Sequence, residues 1–517
     1  MLQEILSHLS ALNIFLFTVL AYAVHYVAWT INDERKIRAL GSRAAIRKTY
    51  LPFGADMIYE SVKAARRHES LQMLQKGMAR WGNPNNPNTF EGWAGGERLV
   101  ITIDPENIKA LLATQFHDYG KGEMFNREWH DFLGDSIFTT DGEKWHDSRQ
   151  LIRPQFIKDR LSDLDTFERH VQVLLPAISG EKEVDLLDLF FRYTLDAATD
   201  FLLGQSVESL LNPKSNFADA FGRAQHTQSI IAKTGRLNRF VPRRKFFEDI
   251  ATINAFMEPY IERTLGLPPD EIEKKSKSEE GYTFLHALAA YTRDRQMLRD
   301  QIIAILLAGR DTTACTLSWC FYELSLQPKI VAKLRQEIKN VVGLTRAPTY
   351  EDLKNMKYLS WTINETLRLY PVVPFNVRPA LKDTTLPHGG GPDGNQPVGI
   401  PKGTQVAYST LGMQRRADLY PPESSGFPPV NDFVPERWDG WTPKTWTYIP
   451  FNGGPRICVG QQFALTEMAY TIVRILQKFD AVESRMNGVH PGMRTDIVLQ
   501  PANGVKVVLR EARDEKV

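Results

Sequence analysis

Phe451-Asn452-Gly453-Gly454-Pro455-Arg456-Ile457-Cys458-Val459-Gly460 sets one cysteine in a run of small and turn-forming residues. Gly453, Gly454 and Pro455 forbid a helix just before Cys458 and let the main chain come very close to a flat object. Arg456, two residues upstream of the sulfur, carries a permanent positive charge that favours thiolate over thiol. Gly460 removes bulk just after it. A helical pattern resumes with Gln461-Gln462-Phe463-Ala464 and reaches about Phe479, so the NH groups of its first turn can point at the sulfur. Hydrogen bonds of that kind tune the donor strength of a thiolate ligand. The other two cysteines, Cys315 and Cys320, lie five apart in an apolar helical stretch with no convergent histidine pair, and read as core. Three cysteines make no disulfide framework, which suits a reducing compartment.

Working upstream, a long helical pattern covers about residues 282 to 326. Within it Ala308-Gly309-Arg310-Asp311-Thr312-Thr313 interrupts the apolar run Ile302 to Leu307. A glycine and two adjacent β-branched hydroxyl residues are poor mid-helix choices, and predict a kink or π-bulge. A further helix spans about Met356 to Tyr370, ended by Pro371, and places Glu365 and Arg368 on one side of its surface. From 371 to 455 the chain is rich in Pro, Gly and Trp, with short strands such as Gln405-Val-Ala-Tyr408. The run Gly389-Gly390-Gly391-Pro392-Asp393-Gly394 has no following Lys-Ser/Thr and no strand–helix frame, so it reads as a turn and not a phosphate cradle. Leu99 to Ile103 reads as a strand, and Asp104-Pro105-Glu106 opens a helix. The charged stretch Pro268 to Gly281 reads as a solvated loop. Asp496 to Arg510 alternates and contains Asn503-Gly504, a hairpin signal. The fold class expected is mostly α with small β-sheets. No repeat is visible, and no Pro/Ser linker divides the chain after residue 50, so 51–517 is expected to be one large domain.

At 43% hydrophobic and 24% charged, the 517 residues can bury a large core. A net charge of +2 gives a nucleic-acid partner no global electrostatic support. Ala11 to Thr30 contains no Lys, Arg, Asp or Glu, and its length matches the roughly 20 residues that cross a bilayer. Tyr22, Tyr26 and Trp29 crowd its end, where interfacial aromatics belong. Residues 1–30 are therefore expected to be a single transmembrane anchor, and 31–50 a basic, partly helical linker with Arg35, Lys36, Arg38, Arg43, Arg47 and Lys48. The positive-inside rule puts the long C-terminal part in the cytosol.

The cysteine loop fits Phe-x-x-Gly-x-Arg-x-Cys-x-Gly at every position, and so resembles the cytochrome P450 family. That resemblance implies the family's triangular helical fold and haem b, with Cys458 as the iron ligand and Phe451, Gly454 and Gly460 as the pattern's other fixed positions around the cofactor. Asp311 and Thr312 resemble the family's oxygen-binding groove, where Thr312 would hold the oxygen substrate and its water and Asp311 would help deliver protons. Glu365 and Arg368 resemble its Glu-x-x-Arg motif, with Arg437 of Phe433-Val-Pro-Glu-Arg-Trp438 as the third, structural member. Trp145 and Arg149, four apart on one helix face, resemble a pair that binds a haem propionate; Arg378 and Arg456 match two further propionate positions, and His146 could join them. The resemblance covers about residue 85 to the end with the motifs in the family's order.

The implied reaction inserts one oxygen atom of O2 into a C–H bond. No flavin or nicotinamide domain and no Gly-x-Gly-x-x-Gly after a strand is found, so a separate NADPH-cytochrome P450 reductase is implied, with cytochrome b5 as a second electron donor. An anchor in the endoplasmic reticulum membrane favours lipophilic substrates, and Leu306, Leu307, Val373, Phe375 and Ile497 are candidate pocket residues. Glu365 to Pro371, Leu386 to Gly394 and Pro450 to Glu467 resemble the fungal branch that hydroxylates alkanes and fatty acids. A tailoring hydroxylase of secondary metabolism is the alternative. Haem-thiolate isomerases or dehydratases, and non-catalytic haem proteins, leave the presence of both Asp311 and Thr312 unexplained.

Overall fold

In a computed structural model, which describes residues 11–156, 164–277 and 283–512, helices form along apolar stripes, several of them preceded by a capping side chain. Helix α1 (Ala11–Leu40) leads to α2 (Gly142–Ile152), α3 (Leu186–Leu203), α4 (Asn216–Thr234), α5 (Arg295–Leu326), α6 (Lys357–Leu369) and α7 (Gln461–Lys478). Asp185 caps α3 by accepting from the Leu187 amide, Ser215 caps α4 and Asp294 caps α5. Helix α5 is 32 residues long and buried over most of its length, because its sequence is apolar almost all round. It packs along α3 and divides the core. One core cluster joins its C-terminal half to α6 and α7, and a second joins its N-terminal half to α2 and α4.

The β part is small. Five strands lie in the order Ala45–Ile46, Thr89–Ala94, Glu97–Thr102, Gln405–Ser409, Phe375–Pro379, with parallel and antiparallel pairings alternating from the first pair to the last. Strands Thr384–Gly390 and Gln396–Ile400 form a hairpin whose tip is the glycine run. Asn83 and Asn86 donate to the Pro392 and Gly394 carbonyls at 3.0 and 3.1 Å, so the run is a docked turn, as expected.

Four expectations need correction. No helix among the described residues is long and apolar enough to cross a membrane. Helix α1 exists and exposes Phe15, Phe17, Leu20 and Val24, but Asn13, Thr18 and His25 dilute its apolar run, and no transmembrane span is found over 11–30; residues 1–10 of the expected anchor lie outside the described residues. The polar stretch expected to be a loop is helical over Pro269–Lys277, since Lys and Glu are good helix formers and Glu271 pairs with Lys275 at i,i+4; its end, 278–282, lies outside the described residues. The helical pattern from 282 is broken into Phe284–Ala289 and α5, with Asp294 capping the second piece. Asn503-Gly504 does not close a hairpin. Met493–Thr495 pairs with Leu499–Pro501 instead, and Lys506–Glu511 pairs with Phe479–Ser484 and Val184–Asp185.

The basic stretch 31–50 docks on the five-stranded sheet. Ile37 is fully buried, Arg43 pairs with both Glu34 and the buried Glu91, and Arg47 pairs with Asp56 at 2.9 Å. The end of α1 is thereby fixed to the body of the protein.

Candidate functional site

Cys458 is held by its own loop. Its amide donates to the Phe451 carbonyl at 3.0 Å, and Asn452 takes a left-handed conformation at φ 63° to turn the chain. Tyr408 steadies that turn by donating to Asn452 Oδ1 at 2.9 Å. Gly453 and Gly454 are needed by packing. A Cβ on Gly453 would lie 2.5 Å from the Trp446 ring, and one on Gly454 would lie 1.8 Å from the Leu112 carbonyl oxygen. A Cβ on Gly460 would meet only Phe156, at 3.8 Å, so nothing in the polypeptide demands a glycine there. Desolvation pushes the Cys458 thiol up, while the Gly460 amide and Arg149 oppose it. Cys315 and Cys320 are buried, and burial drives their thiols up, Cys320 to about 12, so both are inert core groups as expected.

Around this loop the structure gathers cations. Trp145 is buried on α2, with the Arg456 guanidinium 4.6 Å and that of Arg149 5.9 Å from its ring. Arg149 donates to the Ile457 carbonyl at 2.9 Å. Arg456 pairs with Asp141 at 2.6 Å, yet burial and the neighbouring Arg378 and Arg149 still lower it to about 10. Arg378 is buried over the Tyr408 ring. Sequence reasoning missed Lys121. Its ammonium lies 4.4 Å above the Phe125 ring, and burial together with Arg378 and Arg456 pushes it well below the ordinary lysine range, opposed only by Asp141 among the described residues. The signal was faint, a lysine in the short segment Tyr119-Gly-Lys-Gly122. His146 faces Gln150 on the exposed side of α2 and does not join the cluster.

Glu365, Arg368 and Arg437 are brought together as expected. The carboxylate accepts from Arg368 Nε at 2.7 Å and Nη2 at 2.9 Å, and from Arg437 Nε at 3.1 Å. The Trp438 indole and the Val434 amide complete its shell at 3.1 and 3.0 Å. All three charged side chains have no exposed surface.

Helix α5 passes the proposed groove unbroken, with no π-turn. The interruption expected at 308–313 is not found; within it the Thr312 hydroxyl donates to the Ala308 carbonyl at 2.7 Å, and one turn on Thr316 donates to the Thr312 carbonyl at 2.8 Å. Thr194 of α3 adds a bond to the Arg310 carbonyl at 2.8 Å. Asp311 is buried, and desolvation pushes it up to about 6 against the pull of Arg310. Of the candidate pocket residues, Ile497 shares a cavity with Asp311. Val373 and Phe375 are half-buried, whereas Leu306 and Leu307 are packed in the second core cluster with almost no free surface. A second acid that the sequence did not flag, Glu467 on α7, is buried and pushed up to about 8, with Thr313 as its opposing partner.

Residues 72–509 match the family model for cytochrome P450. The chain belongs to the cytochrome P450 family. It is 47% identical to cytochrome P450 monooxygenase pvhE of Talaromyces variabilis over 93% of each chain. It is also 40% identical to cytochrome P450 52A13 of Debaryomyces hansenii, over 85% of this chain and 86% of that one, and 44% identical to cytochrome P450 52A1 of Candida tropicalis, over 77% and 75%. The protein is thus a P450 monooxygenase with a haem-iron cofactor, and the cationic pocket beside Cys458 fits that group. A cluster of buried and half-buried cations with one carboxylate is costly unless a dianion neutralises it.

Proposed function

We propose that this P450 holds haem b through the Cys458 sulfur and hydroxylates a long-chain alkane or fatty acid at or near its end. The cation excess of Lys121, Arg378 and Arg456 carries the cofactor assignment, since two propionates supply the missing negative charge. Trp145 and Arg149 brace the same side, and Phe451, Gly454 and Gly460 shape the loop against the macrocycle. Haem supplies dioxygen activation: with two electrons and two protons, one oxygen atom enters a C–H bond and the other leaves as water. Thr312 orients the oxygen substrate, and Asp311, poised to exchange protons near neutrality, supplies them. Glu365, Arg368 and Arg437 hold segment 428–438, which leads into the cysteine loop. Val373, Phe375 and Ile497 offer apolar surface to an aliphatic chain.

Electrons come from a separate NADPH-cytochrome P450 reductase, with cytochrome b5 as a second donor. The exposed apolar face of α1 lies against the endoplasmic reticulum membrane, with the haem domain in the cytosol and lipophilic substrate drawn from the lipid. The resemblance of 365–371, 386–394 and 450–467 to the alkane- and fatty-acid-hydroxylating branch supports this substrate class.

Reduced protein exposed to carbon monoxide is expected to give the far-red-shifted Soret band of thiolate ligation, and Cys458→Ser to abolish it. A retained band refutes the ligand assignment. Binding-induced spectral shifts with fatty acids and alkanes, followed by the terminal alcohol in reconstituted turnover, test the substrate. Shifts with polyketides alone would make the protein a tailoring hydroxylase of a secondary-metabolite pathway.

A further inference from the structure

Trp319 follows Thr312 along α5 by two helical turns, which puts both on one face of the helix. Its indole is fully buried, lies flat on the Tyr370 ring with the centres 4.1 Å apart, and donates to the Leu499 carbonyl at 3.1 Å. Tyr370 is buried as well. The pair stands close behind the apolar residues offered to the substrate. The Leu499 amide donates to the Val372 carbonyl at 2.9 Å, and Val372 and Val498 pack on Cys315 with Ile497 beside them.

The Tyr370 hydroxyl donates to Glu323 Oε1 at 2.6 Å, one turn of α5 beyond Trp319. Packing does not account for this bond. A phenylalanine would fill the same space against Trp319 and spare the fold a buried carboxyl group. Burial raises Glu323, while the Tyr370 and Gln327 donors and the Arg415 guanidinium oppose the rise. Arg415 also lies 5.6 Å from the centre of the Tyr370 ring. A cation there opposes loss of an electron from the ring unless the phenolic proton leaves too, and Glu323 Oε1 is in place to take it. The stack also reaches water. His490 is exposed, 5.8 Å from Trp319 and 5.4 Å from Tyr322, which itself meets Trp319 edge-on at 6.0 Å.

We propose that Trp319 and Tyr370 form an electron relay that discharges the haem site when dioxygen has been activated and no C–H bond is in reach, with Glu323 as proton acceptor and a soluble thiol at the His490 edge as the final reductant. Tyr370 gives one electron to the haem site and its phenolic proton to Glu323, which leaves a neutral phenoxyl radical against Trp319. The thiol returns one electron through Trp319 and releases its proton to solvent, and Glu323 hands the proton back to Tyr370. The thiyl radicals of two passages join as a disulfide. The two electrons delivered, with two protons from solvent, carry the unused oxygen atom off as water. The relay rests on Cys458 holding haem, and needs nothing from the choice of substrate.

The test is made on the full-length holoenzyme, free of substrate, treated with hydrogen peroxide and rapidly frozen. Electron paramagnetic resonance should show a protein radical whose signal narrows when the tyrosines carry ring deuterium. Tyr370→Phe keeps the stack and should abolish that signal, with bleaching of the haem by peroxide about threefold faster. Glutathione should slow bleaching in the wild type, and not in Tyr370→Phe. Glu323→Gln can still accept the hydrogen bond but cannot hold the proton, and should lose the signal likewise. Haem content and the carbon monoxide band of both variants should match the wild type, which a merely structural role would not allow. A wild-type radical and bleaching rate in Tyr370→Phe overturn the relay while the haem assignment stands, and so does a wild-type signal that ring deuterium leaves unchanged. A wild-type protein without the carbon monoxide band removes the haem assignment, and the relay with it.

Discussion

Replacing Glu365 by Gln tests whether the buried triad supports the cysteine loop. The carboxylate accepts from Arg368 twice, from Arg437, from the Trp438 indole and from the Val434 amide. A glutamine carbonyl can serve about two of these donors, and its NH2 group turns a donor toward a guanidinium. Two buried cations then remain without a counter-charge. Removing one partner of a buried ion pair costs about 3–5 kcal/mol. Both arginines keep carbonyl acceptors at Pro428, Pro429, Val430 and Asp432, which places the loss toward the lower end of that range. Against a total stability of about 5–15 kcal/mol, about 3 kcal/mol is a large fraction, a shift of about a hundredfold in the unfolding equilibrium. The urea midpoint and the fraction of purified protein giving the carbon monoxide band of thiolate-bound haem should both fall. Arg437→Lys should fall part of the way, since an ammonium keeps the charge and loses the fork to the carbonyls. A Glu365→Gln protein with an unchanged midpoint and a full haem complement would refute the argument.

Glu467 is neutral in the fold because burial raises it from 4.5 to about 8. Its stabilising contribution is present below the unfolded value and is lost as pH rises through the folded one, a loss of up to about 4–5 kcal/mol; Glu467→Gln should match the wild type in urea midpoint near pH 5 and exceed it near pH 9. Gly454→Ala places a Cβ at φ 67° and 1.8 Å from the Leu112 carbonyl, so soluble holoprotein should be lost, whereas the Gly460→Ala chain meets only Phe156 at 3.8 Å and should fold; haem content of the second variant measures how much of that space belongs to the cofactor.

Motifs fixed by local spacing were legible before the structure. The Glu365–Arg368 pair shares a helix face by period alone, and Pro371 ends that helix where it should. Arg437, by contrast, joins them from 72 residues away, and only the family's pattern could say so. The features that escaped are those decided by tertiary context. Nothing local tells that Lys121 faces Arg378 and Arg456, because the segments meet only when the five-stranded sheet places 375–379 beside 405–409 and the turn at 119–122. The Asn503-Gly504 signal was a sound turn with the wrong partner, since Lys506–Glu511 finds longer strands at 479–484 than the three residues of 499–501 could offer. The kink or π-bulge expected at 308–313 did not form, and the Thr312 hydroxyl bonds back to the Ala308 carbonyl within a continuous helix.

The protein buries charge in two contrasting ways, and the contrast separates scaffold from cofactor pocket. Around Glu365, each carboxylate oxygen and each guanidinium nitrogen of Arg368 and Arg437 is answered by protein, so the cluster is complete in itself and has nothing to offer a ligand. Around Arg456 the balance fails. Lys121 and Arg456 share Asp141, whose second task is to accept from the amides of Lys121 and Gly122, and Arg378 lies beside both cations. A fold gains nothing from confining that excess, because Arg378 and its neighbours lower both Lys121 and Arg456. It is tolerable only if a further anion belongs to the finished protein. On the proposed haem-binding reading, the carboxylates of the cofactor would answer this imbalance, and cofactor binding would be coupled to the folding of the loop that carries Cys458.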